Sequence, residues 1–197
     1  MIKKRKKIKV ILDLSMSMKT CIGAVYLFLQ EMDDRIRNTE VLDLEYQLTW
    51  FSSGKNGNVV FSDGRMSTRD PVEFFGAVRG LTLCRGNRMT SDEDVEAGWK
   101  TALSSMAGEA GEQAVFFFSD YRMENEIRLE QEHGVNRVFL FLPENSHARY
   151  RFRMTGSGGN VQIAMPILQW SLETLMKPWT ESMWSGLMTY MNLMNEE

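Results

Sequence analysis

Four stretches of near-continuous apolar residues, Ile8 to Leu14, Ala114 to Ser119, Val135 to Leu142 and Val161 to Ile167, each run into polar turn residues. They constrain the fold more than any other feature. A strand with one wet face alternates apolar and polar residues, whereas a strand covered on both faces does not have to. Runs of this kind call for a parallel sheet between helices, because parallel neighbours need long crossover connections. The spacers supply them. Ile22, Val25, Tyr26, Leu29, Met32 and Ile36 recur at three- and four-residue steps, which predicts one apolar stripe on a helix over about 19–38. Pro71 after Asp70 opens a helix over 71–79, and Thr90, Ser91 and Asp92 offer caps for another over 93–106. A further helix is expected over 124–132, and one at the C-terminus. Residues 46–51 and 58–61 flank the turn Ser52-Ser53-Gly54-Lys55-Asn56-Gly57, so a hairpin is expected there, with glycines supplying positive φ. The order predicts a doubly wound α/β fold: a mostly parallel central sheet with one antiparallel edge strand and helices on both faces.

No repeat or linker divides the 197 residues, so one domain over 1–197 is expected, with 1–7 as a basic tail and 171–197 as a C-terminal helical segment. At 43% hydrophobic and 25% charged residues the composition is that of a globular chain. A net charge of -3 supplies no general field that would draw nucleic acid or an anionic membrane. The run Lys3 to Lys7 reads as solvated. Asp13 and Ser15 interrupt the first apolar run too early for a secretory signal, and no stretch reaches the roughly 18 apolar residues of a membrane span. A cytoplasmic protein is the expectation. Cys21, Cys84, His133 and His147 form no zinc pattern, so a metal here should be bound by oxygen.

In a doubly wound sheet ligands bind beyond the carboxyl ends of the strands. The first strand ends Ile11-Leu12-Asp13-Leu14-Ser15-Met16-Ser17, where oxygen-bearing side chains recur at every second position and share one side of an extended chain. One carboxylate and two hydroxyls suit a hard cation such as Mg2+, with Mn2+ and Ca2+ as alternatives, because such ions take oxygen ligands and retain waters. Hydroxyls are weak ligands, so the site would be underfilled and open to an Asp or Glu from a partner protein. The competing local reading lets Asp13 end the strand while Ser15 or Ser17 caps the following helix.

With this motif the chain resembles the von Willebrand factor A family, whose metal-ion-dependent adhesion site begins with Asp-x-Ser-x-Ser after the first strand. Asp13, Ser15 and Ser17 match it. The family's loop threonine corresponds to Thr90, with Ser91 as second choice, in the segment Gly86 to Val95. Its closing aspartate corresponds to Asp120 in Phe116-Phe117-Phe118-Ser119-Asp120, acting mainly through water. Two departures stand out: the loop lacks Gly-Gly-Thr, and Tyr121 stands where glycine often follows the aspartate. The resemblance implies a cation-dependent protein-binding module rather than an enzyme. It also implies the intracellular bacterial type, whose members often serve as adaptors beside AAA+ ATPases.

Three other readings compete. A phosphohydrolase of the haloacid dehalogenase type also places an aspartate after its first strand, but needs a second carboxylate two residues on, where this chain has Ser15. A degenerate domain would keep the fold without the ion. A nucleic-acid-binding role would rest on Lys3 to Lys7 and on Arg149, Arg151 and Arg153, which alternate with Tyr150 and Phe152; an exposed edge kept unpaired by arginine is the expectation for that strand. At the C-terminus, Leu175, Met176, Trp179, Met183, Leu187, Met191 and Met194 form a wide helical stripe that reads as core, its surplus of Met and Trp offering a second docking surface. Pro178 should start the longer helix near Trp179.

Overall fold

The computed structural model describes residues 4–38, 42–51, 66–81, 112–120, 126–131, 137–144, 149–154 and 167–192. The expected helix over 93–106, the strand over 58–61, and Thr90 and Ser91 lie outside these residues. Strands β1 (Lys4–Asp13), β2 (Leu42–Phe51), β4 (Glu112–Phe118), β6 (Arg137–Leu142) and β8 (Ile167–Ser171) pair in parallel, and β3 (Met66–Thr68) adds an antiparallel edge to β2. The sheet order is β3-β2-β1-β4-β6-β8, a doubly wound arrangement whose order reverses between β1 and β4.

The unbroken apolar runs are explained by burial on both faces. Val10, Leu12, Phe116, Phe118, Phe139 and Phe141 belong to one core cluster, while Ile11, Val115, Phe117, Leu140 and Leu142, at the opposite parity along the same strands, are buried as well. The first face is covered by α1 (Ile22–Asn38), α2 (Pro71–Gly80) and α3 (Glu181–Asn192). Phe28 of α1 sits at its centre, 5.1 Å from the Phe141 ring, 4.7 Å from Trp179 and stacked 5.3 Å from Trp184. Asp33 is buried in the same helix. Both its oxygens take the Arg37 Nε–H, at 2.8 and 2.9 Å, and Oδ1 also accepts the Tyr46 hydroxyl of β2. Helix and strand are thereby tied through a paired charge. The Asp70 carboxylate accepts the Val72 N–H at 2.9 Å and caps α2, which opens on Pro71 as expected.

Several expectations are corrected. From Lys4 onward the basic run is no tail: β1 begins there, and in register Lys7 stands opposite Glu45, so opposite charges line up across the strands. Residues 126–131 form strand β5 (Glu126–Gln131), not a helix, and pair in parallel with β7 (Arg149–Met154) in a separate two-stranded ribbon. The period-two alternation of Ile127 and Leu129 with Glu126, Arg128 and Glu130 outweighs their helix propensity. The arginine strand is therefore paired, with Arg149 opposite Glu126 and Arg153 opposite Glu130. The expected strand over 161–167 lies outside the described residues except at Ile167, where β8 begins and runs on to Ser171. At the C-terminus a 3-10 turn (Leu172–Met176) precedes α3, which starts at Glu181 rather than at Trp179. Trp184, Leu187 and Met191 are buried, and Trp179, Met188 and Tyr190 pack against the core, so among the described residues most of the apolar surplus is core, while Met176 on the turn stands exposed; Met194 lies outside the described residues. Among the described residues no helix is long and apolar enough to cross a membrane.

Candidate metal centre

The reversal of strand order places the carboxyl ends of β1 and β4 side by side, with Leu12 opposite Phe118 in register. The next residues along each strand are therefore neighbours, although Asp13 and Ser119 are 106 positions apart. Asp13 is fully buried. Its Oδ1 accepts the Ser15 N–H at 2.8 Å, and its Oδ2 accepts the Ser119 hydroxyl at 2.7 Å.

Beyond Leu14 the chain does not stay extended, as a shared side for the three oxygens would require. It curls into a 3-10 turn over Met16–Thr20, closed by the Met18 N–H on the Ser15 carbonyl at 3.1 Å and anchored by the buried Met18 side chain. That turn brings the Ser15 and Ser17 hydroxyls within 2.9 Å of each other. The Ser17 hydroxyl in turn donates to Asp120 Oδ1 at 3.1 Å. Ser15 occupies the cap position of the turn, yet its hydroxyl makes no cap bond. The local capping alternative is not realised for Ser15, whose hydroxyl faces Ser17 instead.

Asp13, Ser15, Ser17 and Asp120 are thus brought together from two strand ends, while Thr90 and Ser91 lie outside the described residues. Ser119 was not singled out from the sequence; it stands beside Asp120, and the signal that marks it is the pairing of β1 with β4, which no local pattern carries.

Burial pushes the Asp13 carboxyl above its usual range, the hydrogen bonds from Ser119 and Ser15 oppose this, and the Asp120 charge adds to the rise. Asp120 is raised as well, again by burial, against the bond from Ser17. Among the described residues no basic side chain contributes to either shift. A buried and a half-buried carboxylate beside two hydroxyls form an all-oxygen donor set, and this fits a hard divalent cation. Among the described residues no three His, Cys, Asp or Glu side chains come together, so the donors that meet here are carboxylates and hydroxyls. Met16, 41% exposed, lies between the two serines in sequence and offers an apolar side chain at the surface.

A doubly wound sheet in this order, with an Asp-x-Ser-x-Ser turn at its switch point, agrees with the fold that the resemblance to the von Willebrand factor A family implies. Solved structures agree on the fold. The chain superposes on proximal thread matrix protein 1 from the mussel byssus with a TM-score of 0.52 at 12% identity, over 96% of this chain and 46% of that one. A second structure of that protein, with a zinc-occupied MIDAS motif, gives 0.50 at 11% identity over the same shares. The vWF domain of the type V pili tip protein Mfa5 from Porphyromonas gingivalis is also similar, with a TM-score of 0.40 at 18% identity over 64% of this chain and 43% of that one. The chain spans less than half the length of these structures. No protein-family model and no curated protein sequence matches it.

Proposed function

We propose that the protein is a divalent-cation-dependent protein-binding module. Asp13, Ser15, Ser17 and Asp120, with Thr90 as the resemblance implies, would hold Mg2+, or Mn2+ or Ca2+ in its place. The observation that carries this reading is the meeting of a buried and a half-buried carboxylate with two hydroxyls at the sheet's switch point, held by the Ser15–Ser17 and Ser17–Asp120 contacts, with no basic side chain among the described residues contributing to either carboxylate's shift. The zinc-occupied MIDAS motif in a structure of the same fold supports it. When bound, the cation would supply a Lewis-acidic position for an Asp or Glu of the partner. The chain's own part is to orient the Asp13 carboxylate, to present the Ser15 and Ser17 hydroxyls on the 3-10 turn, and to keep Asp120 at hydrogen-bond distance beside them.

The proposed role is non-enzymatic, a reading the same groups support. The acid/base position of a covalent phosphohydrolase is taken by Ser15, whose hydroxyl is engaged with Ser17. A cytoplasmic adaptor working beside an AAA+ ATPase is the proposed setting, with Met176 and the C-terminal segment as a secondary contact. Capture of partner proteins from the native cell, with and without EDTA and beside Asp13→Ala, tests the proposal. Specific capture that is lost in EDTA and in the variant is expected, and capture unaffected by either would overturn it.

A further inference from the structure

The Asp-x-Ser-x-Ser pattern assigns no task to Ser119, yet its side chain is fully buried at the point where β1, β4 and β6 meet. Its N–H donates to the Phe141 carbonyl at 3.1 Å, which ties the end of β4 to β6. Its hydroxyl donates to Asp13 Oδ2 at 2.7 Å. The other oxygen of that carboxylate is held by the Ser15 N–H at 2.8 Å. A carboxylate bonded at both oxygens cannot turn about its Cβ–Cγ bond without losing one bond, so its remaining lone pairs keep one direction. The two restraints also have different origins. The Ser15 bond is local to the 3-10 turn, while the Ser119 bond crosses from a neighbouring strand and refers the carboxylate to the rigid sheet.

We propose that Ser119 is a positioning residue of the cation site, fixing the plane of the Asp13 carboxylate through its hydroxyl so that the free lone pairs face the Ser15, Ser17 and Asp120 oxygens. The inference rests on the cation-binding reading above. Outer hydrogen bonds of this kind typically contribute about 10–100-fold in metal affinity, because an unrestrained ligand must be ordered when the ion binds.

The test is titration of the purified chain with Mn2+, reading free ion by electron paramagnetic resonance and unfolding temperature in EDTA on the same samples. Ser119→Ala should weaken Mn2+ binding by about 10–100-fold. Ser119→Thr and Ser119→Val have nearly the same shape and differ in the hydroxyl, so they separate positioning from packing. The Thr variant should bind within about threefold of wild type and the Val variant should fall with Ala. A role in folding alone would lower the unfolding temperature of Thr and Val alike and leave the affinity of both near wild type, which would overturn the proposal. So would Ala and Val variants that bind Mn2+ as wild type does. A wild-type chain that takes up no Mn2+ would instead overturn the cation reading itself.

Discussion

Replacing Asp13 by Asn should stabilise the metal-free protein while abolishing its response to cations. The wild-type carboxylate is fully buried, and no basic group among the described residues contributes to its shift. Burying an ion costs several kcal/mol in a protein interior, and the bonds from Ser15 and Ser119 return about 1.5–3 kcal/mol each. An Asn side chain can keep both contacts: its oxygen accepts the Ser15 N–H, and its amide donates to the Ser119 oxygen, whose proton can turn away. The charge desolvation disappears at little loss of bonding, so a net gain of about 1–2 kcal/mol is expected, or about 2–8 °C in Tm for a chain of this size. Cation reverses the ranking. At a hundredfold excess over Kd the wild type gains about 2.7 kcal/mol, about 5–10 °C, and Asp13→Asn gains nothing. Thermal unfolding by circular dichroism in EDTA and in Mg2+ reads all four values. An Asp13→Asn protein that melts below wild type in EDTA, or that shifts as much in Mg2+, would refute the reasoning.

Three further outcomes are expected. Because the folded-state Asp13 carboxyl lies above its usual value, its cost is fully present above that raised value and is relieved as pH falls through it; urea unfolding over a series of falling pH should show the gap between wild type and Asp13→Asn closing, and a widening gap would contradict this. Trp184→Ala removes a buried ring stacked on Phe28 and lying beneath the Arg35 guanidinium at 4.9 Å, and should cost about 3–5 kcal/mol; a loss below about 1 kcal/mol in equilibrium unfolding would show that α3 is not integral to the core. Tyr46→Phe takes a donor from buried Asp33 while leaving the Arg37 bonds in place, and should cost about 1–3 kcal/mol by the same measurement; no change would mean that the hydroxyl bond contributes nothing.

The sequence was most legible where one face or one turn decides the outcome. The apolar runs at Ile8 to Leu14 and Ala114 to Ser119, the α1 stripe and the Asp70-Pro71 helix start are local signals, and each matches an element of the structure. Where two local signals compete, the reading failed: residues 126–131 carry helix-forming Glu, Arg and Leu in a period-two pattern, and pairing with β7 decides for the strand. The basic run failed for a related reason, since its place in β1 depends on pairing with β2 and β4, strands further along the chain. The site divides in the same way. Asp13, Ser15 and Ser17 form a compact motif, and Asp120 ends a recognisable strand. Ser119 acquires meaning once β4 lies beside β1, a long-range fact.

The central claim, that Asp13, Ser15, Ser17 and Asp120 surround a divalent cation, is tested most directly by crystals grown with Mn2+ and measured for anomalous scattering. An anomalous peak bounded by those four side chains is the expected result, with the Ser119 hydroxyl still on Asp13 and not on the ion. Well-ordered density for all four side chains without a peak among them would contradict the account.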